Sequence, residues 1–275
     1  MLRKIYYWLP PALRLWVRRL VYLPRDLFRG PSEMPPEGLI YTGSGDFKRQ
    51  GAEWVQFFRD HGGLKPDSDV LDIGSGIGRM ALPLSRFLEG RYEGFEAMKV
   101  GVDWCREHIE ARHANFHFKH VPLFNDLYNS DGIDAAAYVF EYPDDSFDFA
   151  CAISVFTHMT PGEVENYLRQ TKRVLREGGH LTATFFILDE ESEAMSRTNP
   201  SGFVFRHDFG HYALMDKKVK SANVAFRRAY LEQLVKDAGF ERAYEVKGAW
   251  CGREKGMYIG FQDVWVLRAI GAADY

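Results

Sequence analysis

Three glycines at alternate positions follow a short apolar run in the stretch VLDIGSGIGR, residues 70–79. A glycine-rich turn after a strand lets the backbone approach a nucleotide closely, so this stretch predicts a nucleotide site. A triphosphate-binding loop needs Lys followed by Ser or Thr after its last glycine, but Arg79 and Met80 follow Gly78. A dinucleotide-binding loop needs its third glycine where Arg79 stands. Both of these sites are therefore disfavoured.

Two acidic residues accompany the glycines. Asp72 lies two residues before Gly74, at the predicted carboxyl end of a strand, where open α/β sheets bind their ligands. A carboxylate there repels a pyrophosphate but attracts an ammonium or a sulfonium group, and S-adenosylmethionine carries both cations. Glu96 follows Gly74 by 22 residues. The alternative roles are a helix cap for Asp72 and an exposed strand end for Glu96.

Residues 70–79 resemble motif I of the class I S-adenosylmethionine-dependent methyltransferases, in which an acid precedes G-x-G-x-G. Further segments resemble the same family in the same order, namely YEGFE, YPDDSFDFACAISVF, RVLREGGHLTATFF and LEQLVKDAGFE. The resemblance covers about residues 41–268. It implies a Rossmann-like domain with S-adenosylmethionine as the cofactor.

The resemblance also implies individual cofactor contacts. Asp72 would hold the methionyl ammonium, and Glu96 would bind both ribose hydroxyls. Asp134 replaces the acid that many relatives place beside the adenine only if its loop bulges. The other predicted cofactor contacts are Gly74, Ser75, Gly76, Gly78 and Arg79 in the glycine loop, Ala97 and Met98 beside the adenine, Ala136 and Ala137 after the third strand, and Ser154 after the fourth.

Methyl transfer to an alcohol also requires a base that removes the acceptor proton. His158 follows the predicted fourth strand in SVFTHM and is the first candidate, with stacking on the cofactor or starting the next helix as alternatives. The segment RHDFGHY supplies His207, Asp208 and His211 as further catalytic candidates, with lining of the substrate as their alternative role. Their spacing permits a metal site on a helix, but Gly210 disfavours a helix, so we predict no metal.

Five residues are predicted to line the acceptor side. Tyr41 and Phe47 precede the glycine loop, where the family often places a lid. Tyr212 lies in a long connection after the fifth strand, and connections of such length are usually functional or disordered. Trp250 and Arg253 lie between the last two strands, on the active-site side if the sixth strand is parallel to the first five. Arg253 would then bind a carboxylate or phosphate, while packing is the alternative role of Trp250.

Alternating strand and helix patterns must position these residues. Five strands are predicted in SDVLDIG, YEGFE, NFHFKHV, SFDFACAISVF and HLTATFFIL. Helices are predicted to about Leu88, through WCREHIEAR, from Pro161 to the pair Gly178–Gly179, and over Asn223–Ala238. The last two strands, ERAYEV and FQDVWVL, have no helix between them and form a hairpin, so the final strand is antiparallel. The prediction is a doubly wound, seven-stranded, mostly parallel sheet.

The first 30 residues differ from the rest of the chain, because they carry seven Lys or Arg side chains against the single acid Asp26. From residue 11 onward, Leu13, Trp16, Val17 and Leu20 recur at helical spacing. One interpretation is an amphipathic helix on an anionic membrane surface or a partner. The other is a helix packed on its own domain with its arginines in solvent. We therefore predict an arm, residues 1–30, and a methyltransferase domain, residues 31–275.

Composition narrows the function further. The chain has 275 residues and a net charge of −3, so it lacks the basic field expected for nucleic-acid binding. No apolar run approaches the roughly 18 residues of a membrane span, and three separated cysteines suit a reducing compartment. We predict a cytoplasmic protein, either free or at the inner face of the membrane, with its oligomeric state open.

The sequence therefore predicts an S-adenosylmethionine-dependent methyltransferase that methylates an O or N atom of a small molecule, lipid or glycan. Two alternatives remain at this point. The first is another enzyme with the same kind of pocket, such as an aminopropyl transferase or an NAD-dependent reductase. The second is a protein that binds S-adenosylmethionine without catalysis.

Overall fold

The computed structural model describes residues 11–30, 32–43, 45–126, 129, 131–199, 201, 203–254 and 259–271. The first half of the chain alternates between helices and strands in the predicted order. These elements are α1 (Pro11–Phe28), α2 (Phe47–His61), β1 (Val70–Ile73), α3 (Ala81–Leu84), β2 (Tyr92–Glu96), α4 (Lys99–His108), β3 (Phe116–His120) and β4 (Phe147–Ala152).

The second half of the chain contains more strands than the sequence predicts. Its elements are α5 (Pro161–Val174), β5 (Leu175–Phe185), β6 (Ile187–Leu188), α6 (Glu190–Thr198), β7 (His207–Asp208), β8 (Tyr212–Leu214), β9 (Val224–Arg227), α7 (Arg228–Asp237), β10 (Phe240–Val246) and β11 (Asp263–Ala269). The additional strands are β6 to β9, and each has two to four residues.

Seven strands form the main sheet in the order β10-β11-β5-β4-β1-β2-β3. Strands β1 to β5 pair in parallel, and β11 is antiparallel to both β5 and β10. The predicted doubly wound sheet with one antiparallel strand is therefore confirmed. The chain runs from β1 to one edge and continues from β4 toward the other, so the carboxyl end of β1 lies at the switch point where such sheets bind ligands.

The core lies on both faces of this sheet because side chains of each strand alternate between the faces. Leu71 and Ile73 of β1 pack in a cluster with apolar residues of α5 and α7. Val70 packs in a second cluster with residues of α2, α3 and α4. All four residues of β1 are buried, as expected for a central strand between two helical layers.

Two predicted helix boundaries in the second half of the chain are wrong. The segment predicted as a helix over Asn223–Ala238 begins with strand β9, and α7 starts only at Arg228. Strand β9 is buried and pairs with β6 and β8, so sheet pairing outweighs its helical pattern. The pair Gly178–Gly179 does not end a helix, because α5 ends at Val174 and both glycines lie in β5. Gly178 has a φ of +74° where the β4–β5 register is irregular.

Helix α3 is shorter than predicted. Its regular part ends at Leu84, and the chain continues in turns in which the Leu88 N–H donates to the Leu84 carbonyl at 2.8 Å. The glycine loop and α3 together form the connection from β1 to β2.

A second, four-stranded sheet fills the long connection after β5, with the strand order β6-β9-β8-β7. It packs with a small aromatic cluster that contains Phe186, Phe203 and Trp250. The segment predicted as a long functional connection is therefore a folded part of the domain. This sheet lies beside the cavity described below, because Phe186 and Phe203 also line that cavity.

Helix α1 rests on its own domain through its arginine-bearing face. Arg14 is 7% exposed, and the Arg18 Nε donates to the Glu37 carbonyl at 3.2 Å. Asp26 accepts hydrogen bonds from the backbone N–H groups of Glu37 and Gly38. The expectation that a packed helix would turn all its arginines to solvent is therefore wrong. The outward side is apolar, with Leu13, Trp16, Leu20, Val21, Leu23, Leu27 and Phe28 exposed.

Among the described helices, none is both long enough and apolar enough to cross a membrane.

Candidate active site

A cavity of about 480 Å³ opens beyond the carboxyl ends of the parallel strands. This volume lies in the range of small-molecule sites. Its walls include residues that follow each of the first five strands within five positions. They are Gly74, Ser75 and Gly76 after β1, Ala97 and Met98 after β2, Leu123 to Asn125 after β3, Ile153 to Val155 after β4, and Phe186 after β5.

The glycine loop has a backbone that only glycine adopts readily. Gly74, Gly76 and Gly78 have φ values of +72°, +59° and +78°. A Cβ atom at Gly74 would lie 2.7 Å from Val155 Cγ2. At Gly76 the nearest atom would be 3.5 Å away, so the backbone conformation alone requires glycine there. Gly74 and Gly76 line the cavity, whereas Gly78 packs against α4 and supports the loop from behind, next to Cys105.

Asp72 is fully buried beneath this loop and does not line the cavity. Its Oδ2 accepts a 2.6 Å hydrogen bond from the Tyr92 hydroxyl, and the Cys151 thiol lies 3.5 Å from its Oδ1. Burial raises the pKa of Asp72 to about 6, although the bonds from Tyr92 and Cys151 oppose the rise. The structure therefore places a carboxylate of raised pKa just behind the loop, without direct access to the cavity.

Glu96 lines the cavity beside Ala97 and Met98, at the end of β2. One carboxylate oxygen accepts from the Gly76 N–H at 3.0 Å, and the other accepts from the Met98 N–H at 2.8 Å. Burial raises the pKa of Glu96, while these two backbone bonds oppose the rise. Both oxygens are thus held in place and keep lone pairs for a pair of hydroxyl donors.

Ser75 contributes a further polar group to the cofactor side. The residue is 2% exposed and is part of the cavity wall, and its buried hydroxyl has no hydrogen-bond partner among the described residues. A buried hydroxyl without a partner is costly unless a ligand completes its bonding. Together with the glycine backbone and Glu96, it gives a set of groups that fits an adenosyl ligand.

Arg79 connects the glycine loop to the chain before α2. Its guanidinium donates to Gln50 Oε1 and to the Thr42 carbonyl, both at 2.7 Å, and lies 4.6 Å from the ring centre of Phe47. Tyr41 and Thr42 form a wall of the cavity, so Arg79 holds that wall against the loop. Phe47 is buried beneath the guanidinium and does not line the cavity.

In the turn at residues 134–137, after β3, the residue that lines the cavity is the one before the predicted pair of alanines. Ala135 is buried and lines the cavity, whereas Ala136 and Ala137 are exposed and lie outside it. The cause is a tight turn in which Asp134 Oδ1 accepts from the Ala136 N–H at 2.9 Å. Asn166 of α5 secures this turn by donating to the Ala135 carbonyl.

Ser154 lies at the cavity edge directly after β4, with a φ of +59°. Its N–H donates to Thr184 Oγ1 at 2.7 Å, and its hydroxyl donates to Gln262 Oε1 at 2.9 Å. These bonds hold a backbone conformation that is costly for serine, and such residues often occur at ligand sites.

His158 also lines the cavity, so the structure brings this candidate base to the predicted site. Its Nδ1 lies 2.7 Å from the Ser221 carbonyl, which only accepts, so Nδ1 carries the proton. Burial lowers the pKa of His158, although the carbonyls of Ser221 and Ala222 favour the charged ring. A neutral imidazole with its proton on Nδ1 has a basic Nε2.

The other catalytic candidates lie outside the cavity. Asp208 is exposed and forms an ion pair with Arg227 at 2.7 Å, while His211 stacks on Tyr230 at 4.7 Å between ring centres. These contacts keep the segment on the small second sheet. Within the described ranges, no group of three or more His, Cys, Asp or Glu side chains is arranged to hold a metal ion. None of the four residues predicted in this segment lines the cavity, namely His207, Asp208, His211 and Tyr212.

Trp250 and Arg253 do not line the cavity either, although the Trp250 ring lies 5.6 Å from that of the wall residue Phe186. Trp250 is 1% exposed, and its indole N–H donates to Asp263 Oδ2 at 2.7 Å, so it packs in the core. Arg253 pairs with Glu191 at 3.2 Å and donates to the Gly248 carbonyl. Strand β10 is parallel to the first five strands of the main sheet, as the prediction required. The two side chains nevertheless bond within the protein and do not reach the cavity.

Two cavity residues on α5 were missed by the sequence prediction. Glu163 accepts from the Thr160 hydroxyl at 2.7 Å, and burial raises its pKa. Tyr167, one turn later, is fully buried, and its hydroxyl has no partner among the described residues. Burial raises the pKa of Tyr167, and the charges of Tyr138, Glu163 and Glu96 add to the rise. The T-x-x-E capping box at Thr160 was the available sequence signal.

The remaining part of the wall is aromatic. Phe186, Phe203 and Phe261 lie 5.1 to 6.3 Å apart between ring centres, and all three line the cavity. Phe261 is 51% exposed and marks the rim, as does Phe124. The polar residues of this region are neutral amides, namely Asn125, Asn223 and Gln262. Helix α1 covers another part of the rim with Arg14, Leu15 and Arg18.

Known proteins have a similar sequence or the same fold. A curated relative, the ubiquinone/menaquinone biosynthesis C-methyltransferase of Vibrio campbellii, is 25% identical over 219 residues, which are 74% of this chain and 76% of the relative. A methyltransferase from Methanosarcina mazei superposes with a TM-score of 0.51 at 19% identity, covering 78% of this chain and 97% of its own.

A 1,6-didemethyltoxoflavin-N1-methyltransferase from Burkholderia thailandensis, solved with S-adenosylhomocysteine, has a TM-score of 0.53 at 16% identity over 96% of this chain and 92% of its own. Residues 46–244 match the family described as "Methyltransferase domain". This family match and the neighbour solved with S-adenosylhomocysteine confirm the predicted cofactor, S-adenosylmethionine. The chain belongs to this family and is an S-adenosylmethionine-dependent methyltransferase.

Proposed function

We propose that this methyltransferase acts on a small, largely apolar molecule, which binds against Phe186, Phe203 and Phe261. The observation that carries the proposal is the aromatic wall formed by these three rings. The charged side chains among the described lining residues belong to α1, the glycine loop, the end of β2 and α5, namely Arg14, Arg18, Arg79, Glu96 and Glu163. A charged acceptor would lose its hydration there without gaining an ionic partner. The amides of Asn125 and Asn223 supply neutral hydrogen bonds that orient a single polar group.

The cofactor supplies a methyl group that its sulfonium already activates, so the protein mainly has to align the acceptor and exclude water. We assign the ribose hydroxyls to Glu96 and the hydrophobic walls of the adenine to Met98 and Ala135. Ser75 and the glycine-loop backbone would bind the methionine portion. We assign Asp72 an indirect role, in which its charge favours a cationic ligand beyond the loop.

His158 is the proposed base. Its Nδ1–H is held by the Ser221 carbonyl, and its lowered pKa keeps the ring neutral and able to accept a proton at Nε2. The proton that leaves the acceptor when the new bond to the methyl carbon forms would pass to this nitrogen. The methylated atom is O or N by our prediction, and the name of the curated relative, a C-methyltransferase, adds carbon.

The organisation of the chain is part of the same proposal. Residues 31–275 carry the chemistry, and residues 1–30 form an arm whose helix α1 covers the rim of the cavity. The three cysteines are free and buried, which supports a reducing, cytoplasmic location.

The acceptor class is tested with the full chain, S-adenosylmethionine carrying a labelled methyl group, and fractionated cell extract. We expect the labelled product in the organic-solvent fraction. Label found solely in water-soluble products would refute an apolar acceptor. Phe261→Ser is expected to raise KM several-fold, whereas Phe209→Ser, at a similarly exposed phenylalanine outside the cavity, is the control.

The base is tested by substitution of His158. His158→Gln is expected to lower kcat by roughly 100-fold or more, since positioned bases commonly contribute 10²–10⁴-fold. The matched control is His207→Gln, because His207 lies outside the cavity. An unchanged kcat in His158→Gln, with cofactor binding retained, would remove the proton-transfer role.

A further inference from the structure

Helix α1 has an exposed apolar face along its outer side. Leu13, Trp16, Leu20, Leu23 and Leu27 recur at intervals of three and four residues and are 40–70% exposed. Such spacing places all five side chains on one face of a helix. Five large apolar side chains in one exposed row form a continuous patch, which in a soluble monomer usually marks a contact surface.

The orientation of α1 makes this patch informative. A helix that only packs on its own domain turns its apolar face inward. In α1 the inner face instead carries Arg14, Leu15 and Arg18, which line the cavity rim, and Arg18 is bonded to the Glu37 carbonyl. Polar residues of α1 therefore contact the domain, whereas the five apolar side chains of the row are exposed.

The charges around the patch indicate what covers it. Arg19 and Arg25 border the apolar face and are both exposed, and Arg25 also forms an ion pair with Glu37 at 3.3 Å. The single acid of the helix, Asp26, is occupied by the backbone N–H groups of Glu37 and Gly38. Arginines that border an apolar helix face, with a tryptophan in that face, are the combination that suits the surface of an anionic bilayer.

We propose that the outer face of α1 inserts into the surface of an anionic lipid bilayer and holds the rim of the cavity against it. The inference deepens the proposed function, since it rests on an apolar acceptor and assigns the bilayer as the source of that acceptor. Arg14 and Leu15, on the opposite side of the same helix, then form the boundary between the lipid surface and the cavity.

The test is flotation of the full chain with vesicles, without cofactor or acceptor. We expect binding to vesicles of phosphatidylcholine mixed with phosphatidylglycerol, weaker binding to phosphatidylcholine alone, and a decrease with added salt. Leu20→Ser/Leu27→Ser is expected to weaken vesicle binding by about tenfold or more, because two apolar side chains no longer enter the interface. Val139→Ser/Phe209→Ser removes two equally exposed apolar side chains elsewhere and is expected to bind as the parent does.

Folding of each variant is checked by its affinity for S-adenosylhomocysteine, because neither pair of positions lines the cavity. The proposal is overturned if the parent chain does not float, if it binds neutral and anionic vesicles equally, or if Leu20→Ser/Leu27→Ser floats as well as the parent. It is also overturned if the parent is a dimer that this variant dissociates, because a second copy would then cover the face. This experiment does not measure turnover. If vesicle binding fails, the proposed apolar acceptor is still judged separately, by the labelling assay.

Discussion

Asp72→Asn is expected to stabilise the folded chain above about pH 6 while weakening cofactor binding. The folded-state pKa of Asp72 is raised from 3.8 to about 6 by burial, so the folded chain binds more protons than the unfolded chain between these values. Stability therefore falls as the pH rises through this window. The rise of the pKa corresponds to about 3 kcal/mol of destabilisation above pH 6.

The asparagine variant removes this cost but retains an oxygen that accepts from the Tyr92 hydroxyl. Its new amide N–H groups face a buried site, which offsets part of the gain. We expect a net stabilisation of about 1–2 kcal/mol near pH 8 and little or none near pH 4. The assay is urea denaturation of parent and variant across this pH range.

Asp69→Asn is the matched control, with the opposite sign. Burial alone would raise the pKa of Asp69, but bonds from Arg176 and from the Arg91 N–H outweigh it, so the pKa is lowered. This substitution should destabilise the chain above the ordinary pKa of aspartate, and the effect should fade in acid. A stability difference between Asp72→Asn and the parent that does not change with pH would refute the account of Asp72.

Three further predictions concern the same site. Affinity for S-adenosylhomocysteine should fall about tenfold as the pH drops below 6 in the parent, and this dependence should vanish in Asp72→Asn, as titration calorimetry can check. Gly76→Ala should cost about 1 kcal/mol in urea denaturation through its left-handed backbone alone. Gly74→Ala should cost about 1–3 kcal/mol more because of its contact with Val155, and equal losses would contradict this. Tyr167→Phe should leave stability unchanged or raised by about 1 kcal/mol, yet weaken S-adenosylhomocysteine binding if its hydroxyl meets the ligand.

The cofactor side could be predicted from the sequence because it is built from contiguous residues at the ends of neighbouring strands. The spacing of Gly74, Gly76 and Glu96 follows from the geometry of one strand–helix–strand unit. The sequence did not show that Ala135, and not Ala136, lines the cavity. The turn that decides this is set by the hydrogen bond from the Ala136 N–H to the Asp134 side chain.

The acceptor side was less predictable for a physical reason. Strands of two to four residues, such as β6 and β7, are too short to display a period, so the second sheet left no clear pattern. Glu163 and Tyr167 belong to a regular helix, and their place in the cavity depends on how α5 packs. For α1, the sequence predicted the helix but not which face packs on the domain. That face is set by the hydrogen bonds of Arg18 and Asp26 to the backbone of Glu37 and Gly38.

The segment that contains the second sheet bears on how acceptor specificity can differ between related enzymes. Two of the three wall phenylalanines, Phe186 and Phe203, come from one uninterrupted stretch that leaves the main sheet after β5 and ends where α7 begins at Arg228. The cofactor half uses almost none of this stretch. We therefore expect that exchanging this segment between relatives changes the acceptor specificity. Binding of S-adenosylmethionine should stay the same.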